Sequence, residues 1–102
     1  MIDLTFISGS ITHDDLSPLE DSNLEYQIES LKEDLLQVEY PASLLLDVGW
    51  YPSFNLAGCF QIRVIESYNW ETPLFLSTSK TIPSLIEELS IAQIFVEKHQ
   101  KI

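Results

Sequence analysis

The sequence predicts an α+β fold, an antiparallel sheet of about four strands with two helices packed on it, in the order β-α-β-β-β-α. Several short segments alternate apolar and polar residues, which is typical of half-buried strands. Two longer segments instead carry apolar residues every three or four positions, as amphipathic helices do. The last three strands are joined by short connections, which favour antiparallel neighbours. At 102 residues, the chain has the length of one domain, 1–102.

A short strand with one buried face is expected first, because apolar residues alternate within residues 2–7. Residues 9–21 then contain Asp14-Asp15 and few apolar residues. That composition is typical of an exposed connection, so we expect an acidic loop over residues 9–21.

A helix is predicted over about residues 22–38. Ser22 and Glu25 have the spacing of a capping box, in which the hydroxyl accepts from an unpaired amide and the glutamate reaches back. The helix should end before Pro41, because the residue preceding a proline is disfavoured in helical conformation. An apolar stripe runs along the segment at spacings of four and three residues: Leu24, Ile28, Leu31, Leu35 and Val38.

The opposite face of this predicted helix carries Glu25, Glu29 and Glu33 at intervals of four residues. Like charges at that spacing repel each other by roughly 0.2–0.5 kcal/mol per pair, and Lys32 alone offsets them. The structural explanation of this row is a helix face that is simply solvated. The functional explanation is that the unopposed carboxylates contact a partner.

Three strands and a second helix complete the order. Thr81 is placed to cap the helix, and its stripe includes Leu85 and Leu89. Trp50 shares a strand face with Leu46 and is expected in the core. The predicted strands cover about residues 43–51, 59–66 and 72–79, and the helix covers about residues 82–99.

Among the features of the sequence, its net charge restricts the possible functions most. Sixteen acidic residues against five basic ones give a net charge of −11. Residues 1–47 hold eleven of the acids and a single base, Lys32. Such a field repels nucleic acid and anionic membranes and attracts cations. We therefore expect a basic protein partner, with no direct contact to nucleic acid or membrane. The alternative is an acidic half that only keeps the protein in solution.

The compartment expected is the cytoplasm. Cys59 is the single cysteine, so no disulfide can form within the chain. Residues 1–20 lack a basic start and a long apolar run, so we expect neither a signal peptide nor a membrane anchor.

Residues suited to catalysis or metal binding are few. Cys59 is interpreted as a packing residue, and His13 and His99 lie at opposite ends of the sequence. His13-Asp14-Asp15 offers ligand atoms, but adjacent residues do not easily converge on one ion. Motifs for zinc, calcium and phosphate binding are absent from the sequence. We therefore predict no catalytic residue, no metal and no cofactor.

What remains is a surface suited to binding a basic protein. Carboxylates accept paired hydrogen bonds from arginine, and aromatic residues dominate many interfaces. For Trp70, packing over the core and exposure as an anchor are equal alternatives. The predicted partner-binding residues are Asp14, Asp15, Asp21, Glu25, Glu29, Glu33 and Trp70.

Three segments carry a resemblance to a known group of proteins: Asp47-Val48-Gly49-Trp50-Tyr51-Pro52, Gly58-Cys59-Phe60-Gln61-Ile62 and Trp70-Glu71-Thr72-Pro73. Together with flanking helices, roughly residues 24–95, the chain resembles small acidic immunity proteins of bacterial contact-dependent growth inhibition and polymorphic toxin systems. The resemblance implies a cytoplasmic antitoxin that binds and blocks the toxic domain of an incoming effector. Many such toxins are nucleases with basic clefts. The motif residues themselves are interpreted as structural.

Three other functions remain open from the sequence. The chain could imitate nucleic acid and inhibit a DNA-binding protein. It could be a small hydrolase that uses two of its many carboxylates, although no sequence feature selects a reaction. It could also be a structural module of a larger complex.

Overall fold

The computed structural model describes residues 1–21 and 23–100. Five strands form one antiparallel sheet in sequence order, and a 3-10 helix and an α-helix accompany it. The α+β class and the antiparallel sheet are therefore confirmed. The 3-10 helix spans Leu24–Ser30 and α1 spans Ile82–Gln100. The strands are β1 Ser10–Asp14, β2 Leu36–Tyr40, β3 Leu44–Tyr51, β4 Cys59–Glu66 and β5 Phe75–Ser79.

The sequence-based prediction is wrong mainly in the amino-terminal half. Residues 2–7 form no strand, and β1 lies within the expected loop over residues 9–21. The helix predicted over residues 22–38 is replaced by the 3-10 helix and β2, so the sheet has five strands instead of about four. The observed order is therefore β1, the 3-10 helix, β2, β3, β4, β5 and α1, with one strand more after the first helix than predicted.

The helix prediction fails because the apolar pattern around β2 fits both the helical spacing of three to four residues and the two-residue alternation of a strand. Leu36, Val38 and Tyr40 alternate with polar residues and are buried, while Leu31 and Leu35 keep the helical spacing. The antiparallel pairing of residues 36–40 with β3 stabilises the strand conformation over the helix. Ser22, the predicted cap, lies outside the described residues, and Asn23 caps the 3-10 helix instead by accepting a 2.9 Å hydrogen bond from the Glu25 amide.

The carboxy-terminal half follows the prediction closely. The strand predicted over 43–51 begins one residue later, 59–66 agrees, and α1 extends one residue past 82–99. β5 begins at Phe75 instead of residue 72, after Pro73, which has no amide hydrogen to offer a neighbouring strand. Thr81 caps α1, since its hydroxyl accepts a 3.2 Å hydrogen bond from the Ser84 amide.

The two faces of the sheet have different surroundings. On one face α1 packs against β4 and β5. The amino-terminal segment and the 3-10 helix add Ile2, Leu4 and Leu24 to the same core. The strand residues of this face include Leu46, Val48, Trp50, Phe60 and Ile62.

The opposite face carries the residues that alternate with the core residues. We call it the open face, because no helix in the described part of the chain packs on it. It is formed by Gln37 and Glu39 in β2, Leu45, Asp47, Gly49 and Tyr51 in β3, Gln61, Arg63 and Ile65 in β4, and Leu76 and Thr78 in β5.

Gly49 lets the backbone make a close crossing at one end of the sheet. The residues on either side of Gly49 are hydrogen-bonded to Lys32 and Leu35, with distances of 2.8 and 3.1 Å. Glu33 and Asp34 are thus extra residues that bulge from the pairing. A Cβ atom at position 49 would overlap the Glu33 carbonyl oxygen. Glycine therefore permits the bulge that holds two carboxylates beside the open face.

Replacing Gly49 with alanine should therefore destabilise the protein. The added methyl meets backbone atoms, which cannot rotate away, so we expect the free energy of unfolding to fall by about 2–3 kcal/mol. Urea denaturation measures the change. Thr78→Ala, at an exposed position of β5, serves as control and should change stability by less than about 0.5 kcal/mol. A Gly49→Ala protein as stable as the control would contradict the assigned crossing.

Candidate protein-binding surface

Several acidic residues lie at the end of the sheet where β1 ends and the bulge with Glu33 and Asp34 begins. Lys32 donates a 2.5 Å hydrogen bond to Asp15, and His13 Nε2 lies 3.4 Å from a carboxylate oxygen of both Asp15 and Asp34. Asp15 and Lys32 also line a hollow of 240 Å³ together with Glu29. We call the carboxylates of Asp15, Glu29, Glu33 and Asp34 the acidic end.

The acidic end remains negative despite these contacts. One lysine opposes four carboxylates, and His13 adds a charge only when it is protonated. The hydrogen bond from Lys32 lowers the pKa of Asp15, so this carboxylate stays ionised. Both partners are substantially exposed, so the pair contributes little to stability. The acidic end therefore presents excess negative charge to the solvent.

The predicted row of glutamates is corrected by the structure. Glu25 and Glu29 lie in the 3-10 helix, which has three residues per turn, so side chains four apart do not stack. Glu33 lies outside that helix, in the bulge at Gly49. Glu29 and Glu33 nevertheless both belong to the acidic end, which tertiary structure assembles instead of helical spacing.

Asp14 and Asp21 are placed differently from Asp15. One Asp14 oxygen accepts from the amides of Leu16 and Ser17, at 3.0 and 2.8 Å, and the other accepts from the Ser17 hydroxyl at 2.6 Å. Asp14 thus closes the turn that follows β1. Asp21 lines a separate hollow beside Lys80 and the start of α1.

Trp70 lies at the other end of the sheet. It belongs to the loop that follows β4, whose last residue, Glu66, pairs with Leu44 at the start of β3. Its side chain is 41% exposed, next to Tyr68, which is 70% exposed and has a positive φ of 59°. Trp70 and the acidic end therefore do not form one patch.

The open face contains a charged pair that the sequence analysis did not select. Asp47 is only 4% exposed, and Arg63 lies directly across from it in β4. Arg63 nevertheless donates to the Gln61 side chain at 3.0 Å, and its guanidinium lies 4.9 Å from the centre of the Tyr51 ring. Its Nε is buried without a hydrogen-bond partner among the described residues. Asp47 accepts a long 3.4 Å hydrogen bond from Gln37.

The surrounding groups compensate only part of the cost of burying the Asp47 charge. Burial raises the pKa of this carboxyl, and Asp34 acts in the same direction. The hydrogen bond from Gln37 and the charges of Arg63 and His13 oppose the rise without reversing it.

The Tyr51 hydroxyl lies in the electrostatic field of the same charged groups. Burial raises its pKa, and Asp47, Glu33 and Asp34 add to the rise while Arg63 opposes it. Negative charge therefore extends from the acidic end onto the open face.

A sequence signal for Asp47 did exist. It is the single charged residue among the apolar residues of β3, and Arg63 is the only arginine in the chain. Their facing positions follow only from the strand register, which the sequence does not contain.

Comparison of the chain with protein-family models, curated proteins and solved structures finds no match. Over residues 1–21 and 23–100, no helix has both the length and the apolar character needed to cross a bilayer. Within the same ranges, no three histidine, cysteine or acidic side chains are grouped to hold a metal ion.

Asp47→Asn should stabilise the protein at neutral pH. The raised pKa means that the folded state holds the Asp47 proton more tightly than the unfolded state does. Stability from this group is therefore fully present below the unfolded value of 3.8 and is lost as pH rises through the folded value. Asparagine avoids that loss, so we expect a gain of about 1 kcal/mol.

Urea denaturation between neutral pH and pH values below the unfolded pKa measures this gain. The difference from wild type should vanish as pH falls. Glu71→Gln removes one exposed charge and serves as control, with little change expected at neutral pH. A loss of stability in Asp47→Asn at neutral pH would show that Asp47 is ion-paired in solution.

Proposed function

We propose that this protein is a binding protein, not an enzyme, and that it captures a basic protein partner through its acidic end. The observation that carries the proposal is a backbone bulge at Glu33 and Asp34 that brings Asp34 to the same His13 ring as Asp15, while Glu29 lines a hollow with Asp15 and Lys32. In a chain of net charge −11, these carboxylates attract cations.

Within this class, we propose an immunity protein that neutralises the toxic domain of a contact-dependent growth inhibition effector, in the cytoplasm of the cell it protects. The sequence resemblance and the charge support the same mechanism. A nuclease binds polyanionic substrate, so its cleft is basic. An acidic protein seated there excludes the substrate, and complementary charge speeds association to ~10⁸–10⁹ M⁻¹s⁻¹ at low salt.

The proposed contact keeps only part of the predicted residue set. Asp15, Glu29 and Glu33 dock directly, and Asp34 joins them. Asp14 holds its turn, while Asp21 and Glu25 contribute to the field. Trp70, at the far end of the sheet, makes contact only with a partner that spans the sheet.

Reversing Glu29 and Glu33 to lysine should slow capture of the partner. Wild-type protein serves as bait in lysate of its native host, and the bound protein is identified by mass spectrometry. Its association rate is then measured at low and high salt. We expect the Glu29→Lys/Glu33→Lys protein to associate at least about tenfold more slowly at low salt, with most of the salt dependence lost.

The matched control is Glu71→Lys/Glu87→Lys, which makes the same change in net charge at two exposed glutamates of the carboxy-terminal half. Its association rate should fall much less. Equal slowing by both variants would reduce the effect to net charge and contradict the acidic end as the docking site. A captured protein whose nuclease activity survives an excess of this chain would contradict the immunity function.

A further inference from the structure

The open face of the sheet has two unlike halves. Towards the acidic end lie the polar residues Asp47, Tyr51, Gln61 and Arg63. Towards the loop after β4 lie apolar residues, Leu45 and Ile65. Leu76, beside Arg63 in β5, is also apolar and is 57% exposed. An exposed leucine beside a polar cluster is a common composition for a docking surface.

Asp47 and Arg63 are poor choices for stability at their positions. A carboxylate removed from water requires an ion pair or several hydrogen bonds, and among residues 1–21 and 23–100 Asp47 accepts one long hydrogen bond, from Gln37. Arg63 faces it but donates to Gln61, and its Nε has no partner within those residues. An apolar residue such as the neighbouring Leu45 would pack here without this cost, so the pair calls for a function.

The charged groups around Asp47 determine whether this patch favours a cationic or an anionic ligand. Asp34 and Glu33 lie close enough to act electrostatically on the same patch, and Arg63 is the one permanent cation among the groups that do so. His13 adds charge only when protonated. The patch therefore favours a cation over an anion.

We propose that the polar half of the open face is the seat of the basic partner, and that a lysine or arginine side chain of that partner pairs with Asp47 next to Tyr51. The inference rests on the proposed function and deepens it, because it moves the centre of the contact from the acidic end onto the sheet. The acidic end then steers the approach and contacts the same partner beside this seat, and the partner supplies a cation that pairs with Asp47 directly.

A poly-arginine peptide serves as the probe, because it presents the proposed chemistry without requiring the partner. Arg63 is the only arginine, so its Nε–H signal in an NMR spectrum of the labelled protein is identified by residue type alone. On titration we expect this signal and the backbone amides of Asp47 and Tyr51 to shift. The pKa of the Asp47 carboxyl, read from its carbon resonance, should fall on binding.

Asp47→Asn should weaken peptide binding by roughly tenfold, equivalent to about 1.4 kcal/mol, whereas Glu71→Gln should leave it unchanged. Should the asparagine variant lose its native spectrum, the titration of the wild-type Asp47 carboxyl decides alone. An Asp47 pKa below the ordinary value in the unbound protein would reveal an ion pair with Arg63 and overturn the proposal.

Two further results separate the inference from the function on which it rests. Shifts confined to the acidic end, with full affinity in Asp47→Asn, would overturn docking on the open face while leaving capture of a basic partner intact. A poly-glutamate peptide that shifts the Arg63 signal, where poly-arginine does not, would assign the face to an acidic partner and overturn the inference; poly-arginine that shifts no signal at the acidic end either would contradict the proposed function as well.

Discussion

The close approach of the Glu33 carbonyl to Gly49 organises much of this molecule. Because position 49 has no Cβ, the chain can pass over the end of β3 and then enter the sheet as β2. The crossing ends the helical spacing that the preceding residues carry and adds a fifth strand to the sheet. It also leaves Glu33 and Asp34 in the bulge, beside the open face. The absence of a side chain at position 49 thus permits both the strand topology of the amino-terminal half and the position of Glu33 and Asp34.

The acidic residues divide into those that the fold uses and those that it leaves available. Asp14 closes a turn, and Glu20 accepts a 3.0 Å hydrogen bond from the amino terminus. Asp15 is paired with Lys32, whereas Asp47 is buried with little compensation. The last arrangement lowers stability at neutral pH, a cost that the cation of the proposed partner would offset.

The sheet is asymmetric because both helices of the described residues lie on one side of it. Buried Gln93 of α1 accepts a 2.5 Å hydrogen bond from Tyr40 and donates one of 2.5 Å to Ser8, which ties the amino-terminal segment and β2 to the helix. This network closes the core face. No described helix packs on the other face, yet its central residues Leu45, Asp47 and Ile65 are buried among their strand neighbours, and Tyr68 of the loop after β4 lines the same hollow as Leu45.

Local sequence patterns were sufficient to predict the secondary structure of the carboxy-terminal half of the chain. The alternation in β3 and β4, the Thr81 cap and the apolar stripe of α1 each favour one conformation, so local preference and tertiary packing agree there. The excess of carboxylates in residues 1–47 is likewise a property of composition. The amino-terminal half allowed two solutions, because Leu31, Leu35 and Val38 can lie on one side of a helix or be buried around a strand. Hydrogen bonds to β3 selected the strand, and those bonds join residues far apart in sequence. The same long-range pairing places Asp47 opposite Arg63 and separates Trp70 from the acidic end, since register and proximity are set by contacts between strands and by no single segment.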